Sequence, residues 1–230
     1  GRLAGRRHHV LAGVEGRLGA RTTRETVWAR GAATTRVDAG GQDRGGALFL
    51  QDRFQAHPRL LLTGSLRLDG WWHRDGRTVT TPLATGVAAT VEHPERSEAA
   101  WSPRLGALFR ARPSLSLTAS AYGAFRAPTL NELYRSFRVG DTVTLANAGL
   151  EAERLRGGEA GLLLLRGGRS LRVTAFSADV RDAVANVTVS SSPGLVTRQR
   201  RNVGRTRSRG FEAEAELRIA SRGTLAAGYA

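Results

Sequence analysis

The stretch that decides the fold runs from residue 60 to residue 72 and reads LLLTGSLRLDGWW. Its even positions are Leu60, Leu62, Gly64, Leu66, Leu68, Gly70 and Trp72, while the odd ones include Thr63, Ser65, Arg67 and Asp69. Successive side chains of an extended strand point to opposite faces, so this spacing makes one greasy face and one wet face. Two further windows repeat the pattern. Leu115, Leu117, Ala119, Ala121, Gly123 and Phe125 stand against Ser116, Thr118, Ser120 and Tyr122, and Phe211, Ala213, Ala215 and Leu217 stand against Glu212, Glu214 and Glu216. Three glutamates on one face cannot be core. Weaker alternation over 10–18, 46–54, 101–111, 155–165, 171–180 and 224–229 predicts about nine or ten strands in all, and no window of similar length prefers a helix.

The connections between these windows are of two kinds. Short ones carry turn residues, at Ala56-His57-Pro58-Arg59, Arg112-Pro113-Ser114, Arg166-Gly167-Gly168-Arg169 and Ser221-Arg222-Gly223, recurring roughly every 55 residues. Long polar segments rich in Gly, Thr, Arg and Asp separate them, over 19–45, 73–100, 126–150 and 190–200. Short turns at one end and long loops at the other are the asymmetry of an outer-membrane barrel. A propeller has a comparable period but uses four short strands per blade, and about two per period are found here. The predicted fold is therefore all-β: an antiparallel transmembrane β-barrel, present in part, with short periplasmic turns and long extracellular loops.

Composition removes several other classes. The 230 residues carry 35 Arg and no Lys against 20 Asp+Glu, a formal charge of +15, with 40% hydrophobic residues, which is enough to escape wholesale disorder. There is no Cys, which excludes a disulfide scaffold and any thiolate site. The longest aliphatic run, Leu162 to Leu165, falls far short of the ~20 residues of a spanning helix. The absence of both Lys and Met points to codon bias rather than to a choice of Arg for function, and without Met the first residue is not an initiator. A nucleic-acid binder needs neighbouring cations on one element, whereas these arginines are spread along the chain, so no nucleic-acid partner is expected. Only Arg198, Arg200, Arg201, Arg205, Arg207 and Arg209 lie close together, in a run that leads from a loop into a strand. That run reads as a solvated loop, or as a contact for lipopolysaccharide phosphates. No nucleophile elbow, phosphate loop or paired-His motif is present, so neither catalysis nor a cofactor is expected.

A series of ordered phrases then narrows the reading. Ser102-Pro103-Arg104-Leu105-Gly106 is followed by the run from Ala121 to Tyr134, AYGAFRAPTLNELY, and by Asn147-Ala148-Gly149-Leu150-Glu151-Ala152-Glu153. Glu159-Ala160-Gly161, Thr174-Ala175-Phe176, Asn202-Val203-Gly204 and Gly210-Phe211-Glu212-Ala213-Glu214 come next. In this order they resemble the barrel of a TonB-dependent outer-membrane receptor. The third phrase departs from the family's Asn-Pro-x-Leu-x-Pro-Glu at both prolines. Upstream, Leu48-Phe49-Leu50-Gln51-Asp52 and the strand from Leu60 to Asp69 extend the likeness over nearly the whole chain. The resemblance implies a barrel of ~22 strands around a plug. Residues 1–230 are then an internal barrel fragment of about 10 strands, lacking plug and C-terminal strands. It also implies a monomer in the outer membrane of a Gram-negative bacterium, in contact with lipid and lipopolysaccharide. Such a receptor imports a scarce metal chelate, a ferric siderophore, haem or cobalamin, with energy from the TonB complex. The alternative is a passive barrel, porin-like or adhesive, which the presence or absence of a plug and TonB box in the complete gene would separate.

Individual residues carry two readings each. Arg67, Arg104, Arg110 and Arg172 fit the lumen side, because a lipid-facing Arg near the midplane costs ~2 to 4 kcal/mol. There they either pair with carboxylates such as Asp69, Glu159, Glu212, Glu214 and Glu216 or form a positive lumen for an anionic chelate. Trp71, Trp72 and Trp101 read as interfacial girdle residues. The segment 126–150 is expected outside the cell and nearest the ligand path. Its Arg126, Tyr134, Arg135, Phe137 and Arg138, with Trp28 from another loop, combine charge with stacking surface and are the candidate ligand-binding residues. The competing reading is that Pro128 to Tyr134 packs this loop against its neighbours. No metal site is expected: His8 and His9 point to opposite faces of one strand, His57 sits in a turn, and His73 and His93 have no partner at ligand spacing.

Overall fold

The computed structural model describes residues 2–5, 7–29, 31–219 and 223–230. Eleven strands form one antiparallel sheet: β1 (Arg2–Ala4), β2 (His8–Ala29), β3 (Ala32–His57), β4 (Leu60–Pro82), β5 (Ala89–Glu92), β6 (Arg96–Arg112), β7 (Leu115–Arg126), β10 (Glu153–Arg166), β11 (Arg169–Arg181), β14 (Arg205–Ile219) and β15 (Gly223–Tyr229). Each strand lies beside its predecessor in the meander β1-β2-β3-β4-β6-β7-β10-β11-β14-β15, and β5 pairs with the far end of β4. The chain between β7 and β10 holds one five-residue helix, α1 (Leu130–Tyr134), and two short strands, β8 (Phe137–Val139) and β9 (Thr142–Leu145). Strands β12 (Val184–Ser192) and β13 (Leu195–Asn202) join them in a second sheet of order β12-β13-β9-β8, whose β9–β13 pair is parallel.

All nine predicted windows fall inside strands of the large sheet. Three of the predicted turns close His57 to Leu60, Arg112 to Leu115 and Arg166 to Arg169. The last uses Gly167 and Gly168 at φ 56° and 76°, a backbone that favours glycine. Of the fourth turn, Ser221 and Arg222 lie outside the described residues.

The polar segments differ from the expectation of loops. Residues 19–29 and 32–45 continue β2 and β3 as a hairpin that turns at Gly31, φ 78°, and 73–82 continue β4. Segment 190–200 belongs to the β12–β13 hairpin, and 126–150 contains α1, β8 and β9. The period-2 test looks for one apolar face, and a strand wet on both faces has none. The helix was equally invisible to periodicity, being little more than one turn. Its start was nevertheless written in the sequence as a capping box. The Glu132 N–H donates to Thr129 Oγ1 at 3.3 Å and the Thr129 N–H donates to Glu132 Oε2 at 2.8 Å.

Cross-strand register assigns the two faces. On one lie Val14, Leu48, Leu68 and Trp101, directly opposite one another in turn and all exposed. Phe54, Leu62, Leu105, Leu117, Leu162, Leu164 and Phe211 extend the same apolar surface. The other face carries Glu15, Asp43, Arg67, Asp69, Glu98, Arg104, Ser120, Glu159, Arg172, Glu212 and Glu214. The chain from 127 to 152 folds over this wet face, which is called inner below. Arg67, Arg104, Arg110 and Arg172 lie on it as their positions predicted. Arg67 is held by Glu15 and Asp69, both at 2.9 Å, and Arg172 approaches Glu214 at 3.9 Å, whereas Arg104 sits 5.9 Å over the Tyr122 ring.

Trp72 and Trp101 are exposed on the apolar face, as girdle residues would be, but Trp71 is not. As an odd residue of β4 it points inward, is 3% exposed and stacks on Phe125 with ring centroids 4.9 Å apart. Phe125 lies beyond the last β6–β7 pair, Arg104 with Tyr122, and is therefore able to reach across. With Ala100 and Ala152 these rings form one small core, and Leu133, Tyr134 and Leu150 form a second beneath the loop.

Candidate functional site

The inner face of β2, β3 and β4 and the start of the overlying loop enclose a cleft of about 570 Å³. Its floor carries Arg17 on Asp43 at 3.3 Å and Arg67 between Glu15 and Asp69. Its wall is Trp71, Phe125 and residues 126–130. The indole Nε1 of Trp71 is buried there with no hydrogen-bond partner among the described residues. Arg21, another lining residue, makes no ion pair among the described residues. The cleft is thus lined by aromatic rings and by charges of both signs, most of them already paired.

Loop 127–152 is a packed unit. Arg126 anchors its base, with Nε on Glu153 at 2.7 Å and Nη1 on Glu132 at 2.9 Å. Burial raises the pKa of the Glu132 carboxyl, but Arg126 and the Thr129 N–H and hydroxyl outweigh it and hold it below the usual carboxylate range. Glu153 also accepts from the Val184 N–H at 2.6 Å, which ties in β12.

Tyr134 anchors the loop's far side. The β3–β4 ladder skips from Gly40–Arg77 to Gln42–Arg74, leaving Gly41, Asp75 and Gly76 unpaired, and the phenol ring fills that gap. A Cβ on Gly76 would lie 2.7 Å from the ring, so only glycine leaves room for it. The ring is 2% exposed and stacks on His93 at 4.7 Å, and its hydroxyl has no hydrogen-bond partner among the described residues. Thr78 Oγ1 donates to the Tyr134 carbonyl at 3.2 Å.

Two asparagines join the loop to the β12–β13 hairpin. Asn202 Nδ2 donates to the carbonyls of Glu151 at 3.0 Å and Asp182 at 2.6 Å, and its Oδ1 accepts from the Glu151 N–H at 2.9 Å. Asn147 Nδ2 donates to the Arg200 carbonyl at 2.9 Å, and its Oδ1 accepts from the Gly149 N–H at 2.9 Å. Arg200 Nη1 in turn donates to the Arg135 carbonyl at 2.9 Å, and Arg96 Nη1 to that of Ala148 at 2.5 Å.

The six residues singled out from sequence therefore separate. Arg126 and Tyr134 hold the loop down. Arg135 pairs with Glu25 and lies 5.4 Å over the Phe137 ring, whose other neighbour is Arg200 at 5.2 Å. Arg138 bonds the Gly140 carbonyl at 2.8 Å and reaches outward. Trp28, 62% exposed, stands at the tip of the β2–β3 hairpin. Sequence reading missed Asn147, Asn202, Gly76 and Arg96 as contributors to this unit. The two asparagines stood inside the receptor-like phrases, whereas nothing in the sequence pointed to the others.

Among the described residues no group of three or more His, Asp or Glu is placed to hold a metal ion. Among the described residues no helix is long and apolar enough to cross a membrane.

Comparison with solved structures shows the same fold in proteins of low sequence identity. The ferric yersiniabactin uptake receptor FyuA of Yersinia pestis superposes with a TM-score of 0.72 at 13% identity, over 95% of this chain and 31% of its own. The copper transporter OprC gives 0.71 at 16% identity, over 99% and 36%. The ferric-catecholate import receptor Fiu of E. coli K12 gives 0.65 at 18%, over 96% and 35%. The chain thus spans about a third of the length of these structures. No curated protein matches the sequence. The family model described as TonB dependent receptor-like, beta-barrel, matches residues 1–230, and the chain belongs to that family of TonB-dependent receptor β-barrels.

Proposed function

We propose that the protein containing this chain is a receptor of the Gram-negative outer membrane that imports a metal chelate at the expense of TonB-coupled energy. The observation that carries this reading is the loop-covered inner face. A charged and aromatic cleft lies under a packed unit whose joints fall in the phrases that resemble those of the receptor family. In this reading the apolar face meets lipid, the turns at His57, Pro113 and Gly167 face the periplasm, and the 127–152 unit faces outward.

For ligand contact we assign Arg21 of the cleft, with the exposed Arg138 and Trp28 meeting the ligand before it enters. Arg126, Tyr134, Arg135 and Phe137 act mainly through the position of the loop. The chemical class this favours is an anionic or aromatic chelate, which a guanidinium and an exposed ring suit together.

The test is growth of a strain lacking the intact gene on single sources of ferric siderophore, haem, cobalamin or copper. The expected result is loss of growth on one class of source, reproduced by deleting the gene for TonB. Equal growth on every source, or a loss on one source that deleting the gene for TonB does not reproduce, would overturn the reading.

A further inference from the structure

On β10, β11 and β14 the apolar face is ordered in cross-strand rows. Next to the tight turn lies Arg166–Arg169–Leu217, followed by Leu164–Leu171–Ala215, Leu162–Val173–Ala213 and Ala160–Ala175–Phe211. The next row is Gly158–Ser177–Arg209, then Arg156–Asp179–Arg207, and finally Arg154–Arg181–Arg205. An apolar band is thus closed by arginines at both ends. Ten residues of β11 separate Arg169 from Asp179. At about 3.4 Å per residue and a tilt of about 40°, that is about 26 Å across the membrane, the height of a barrel's apolar band.

The upper end is unusual in its charge. Arg154, Arg181 and Arg205 are directly opposite one another on three adjacent strands, an arrangement in which like charges repel. Six guanidiniums share one carboxylate. Asp179 accepts from Arg205 and from Arg207 at 3.1 Å, with Arg181 at 3.7 Å. Arg154, Arg156 and Arg209 have no carboxylate partner among the described residues. This differs from the expectation of a solvated loop, since Arg205, Arg207 and Arg209 stand on a regular strand facing outward. At the top of the outer faces of β4 and β6 stand Trp72 and Trp101 instead.

From the row of opposed guanidiniums just above the apolar band, we propose that Arg154, Arg156, Arg181, Arg205, Arg207 and Arg209 form a binding site for the phosphates of an outer-leaflet glycolipid. The inference rests on the outer-membrane reading above. Asp179 holds three of the six in place, and the three unpaired ones are free to take bidentate phosphate contacts, for which the planar guanidinium is suited. A phosphate between Arg154, Arg181 and Arg205 removes their mutual repulsion. The lipid's acyl chains then lie along Leu162, Val173, Ala213 and Phe211, so one molecule satisfies both halves of the surface.

The experiment uses the intact receptor purified from outer membranes and placed in phosphatidylcholine nanodiscs, with diphosphoryl lipid A and its dephosphorylated form as probes. Arg154→Gln, Arg156→Gln and Arg209→Gln are combined, because none of them strands Asp179. Arg166→Gln with Arg169→Gln at the opposite end is the control. Each membrane-surface arginine contributes about fivefold to anionic-lipid binding, so the triple variant should bind diphosphoryl lipid A roughly 100-fold more weakly and the control within about twofold of wild type. A change below threefold, an equal loss in the control, or abolition of binding by millimolar inorganic phosphate would overturn the site. Should the triple variant fail to fold by heat-dependent gel mobility, the wild type decides. It must prefer the diphosphoryl form at least tenfold, and equal affinity for both forms would overturn the proposal. Wild-type receptor absent from the outer-membrane fraction would instead overturn the reading on which the inference rests.

Discussion

Replacing Tyr134 with Ala should release the 127–152 unit from the inner face while leaving the barrel strands in place. The side chain is 2% exposed and fills the gap left by the unpaired Gly41, Asp75 and Gly76. Truncating a buried ring of this size costs about 3–5 kcal/mol, including the cavity left behind. Part of that is offset, since the Tyr134 hydroxyl is buried without a partner among the described residues and its removal recovers about 1 kcal/mol or more of desolvation. A net loss of about 3 kcal/mol remains, which is a factor of about 150 in the docking equilibrium. The loss falls on local opening because the loop touches the sheet chiefly through α1, whereas β3 and β4 are held by their own ladders. Amide hydrogen exchange of the intact receptor in detergent reads it directly, as a drop of about 100-fold in protection confined to 127–152. Tyr134→Phe separates the ring from the hydroxyl: it should match wild type or exceed it. Unchanged protection in Tyr134→Ala, or equal damage from Phe and Ala, would refute the anchoring role.

Three further outcomes are expected. Gly76→Ala places a Cβ 2.7 Å from the Tyr134 ring, so it should cost docking about 1–3 kcal/mol in the wild type and nearly nothing in the Tyr134→Ala background, measured by hydrogen exchange as a double-mutant cycle. Asn202→Ala removes two donated bonds and one accepted bond at the Glu151 turn and should weaken the junction by about 2 kcal/mol, seen as faster proteolytic cutting between 140 and 152 and between 182 and 202. Acid should also loosen the loop. Burial against Tyr134 holds the His93 imidazole below its ordinary value of about 6.5, so the docked state favours the neutral ring; docking is then fully present above pH ~6.5 and declines as pH falls through that value toward the lowered one. Protection of 127–152 compared at pH 7.5 and 5.5 should fall in wild type and change less in His93→Asn.

What could be read from the sequence divides along a physical line. Windows with one wet face and one greasy face, such as Leu60 to Trp72, declared themselves because burial or lipid contact on a single face imposes period 2. Arg67 and Arg172 could be placed inward for the same reason. Residues 19–45 could not, because both faces of that hairpin are polar and alternation carries no signal there. Trp71 was misassigned by grouping it with Trp72, although neighbours on a strand point opposite ways and only one of the two can face lipid. Tyr134 looked like a ligand platform because an aromatic in a polar loop is read as exposed. Its burial depends on a gap in the β3–β4 ladder some 60 residues away, and register irregularities of that kind leave no local trace.

The same geometry explains why the sequence identified a family and was silent on a substrate. Asn147 to Glu151 and Asn202 to Gly204 lie at one junction, where Asn202 donates to the carbonyls of Glu151 and Asp182 and accepts from the Glu151 N–H, while Asn147 donates to the Arg200 carbonyl and accepts from the Gly149 N–H. The run from Arg126 to Tyr134 supplies the base of the same unit through Glu132 and Glu153. A joint of this kind tolerates few residue types, because a shorter or apolar side chain leaves buried carbonyls and N–H groups without partners. The two prolines that this chain lacks, replaced by Ala148 and Ala152, fall at positions whose side chains are packed and small. Their loss leaves the clamp intact, since neither position lends a side-chain hydrogen bond. Residues free of such duties, Arg138 and Trp28 among them, can change with the ligand at little cost to the fold. Recognition phrases and recognition of a substrate are therefore carried by different residues, and a barrel wall can be legible in one and silent in the other.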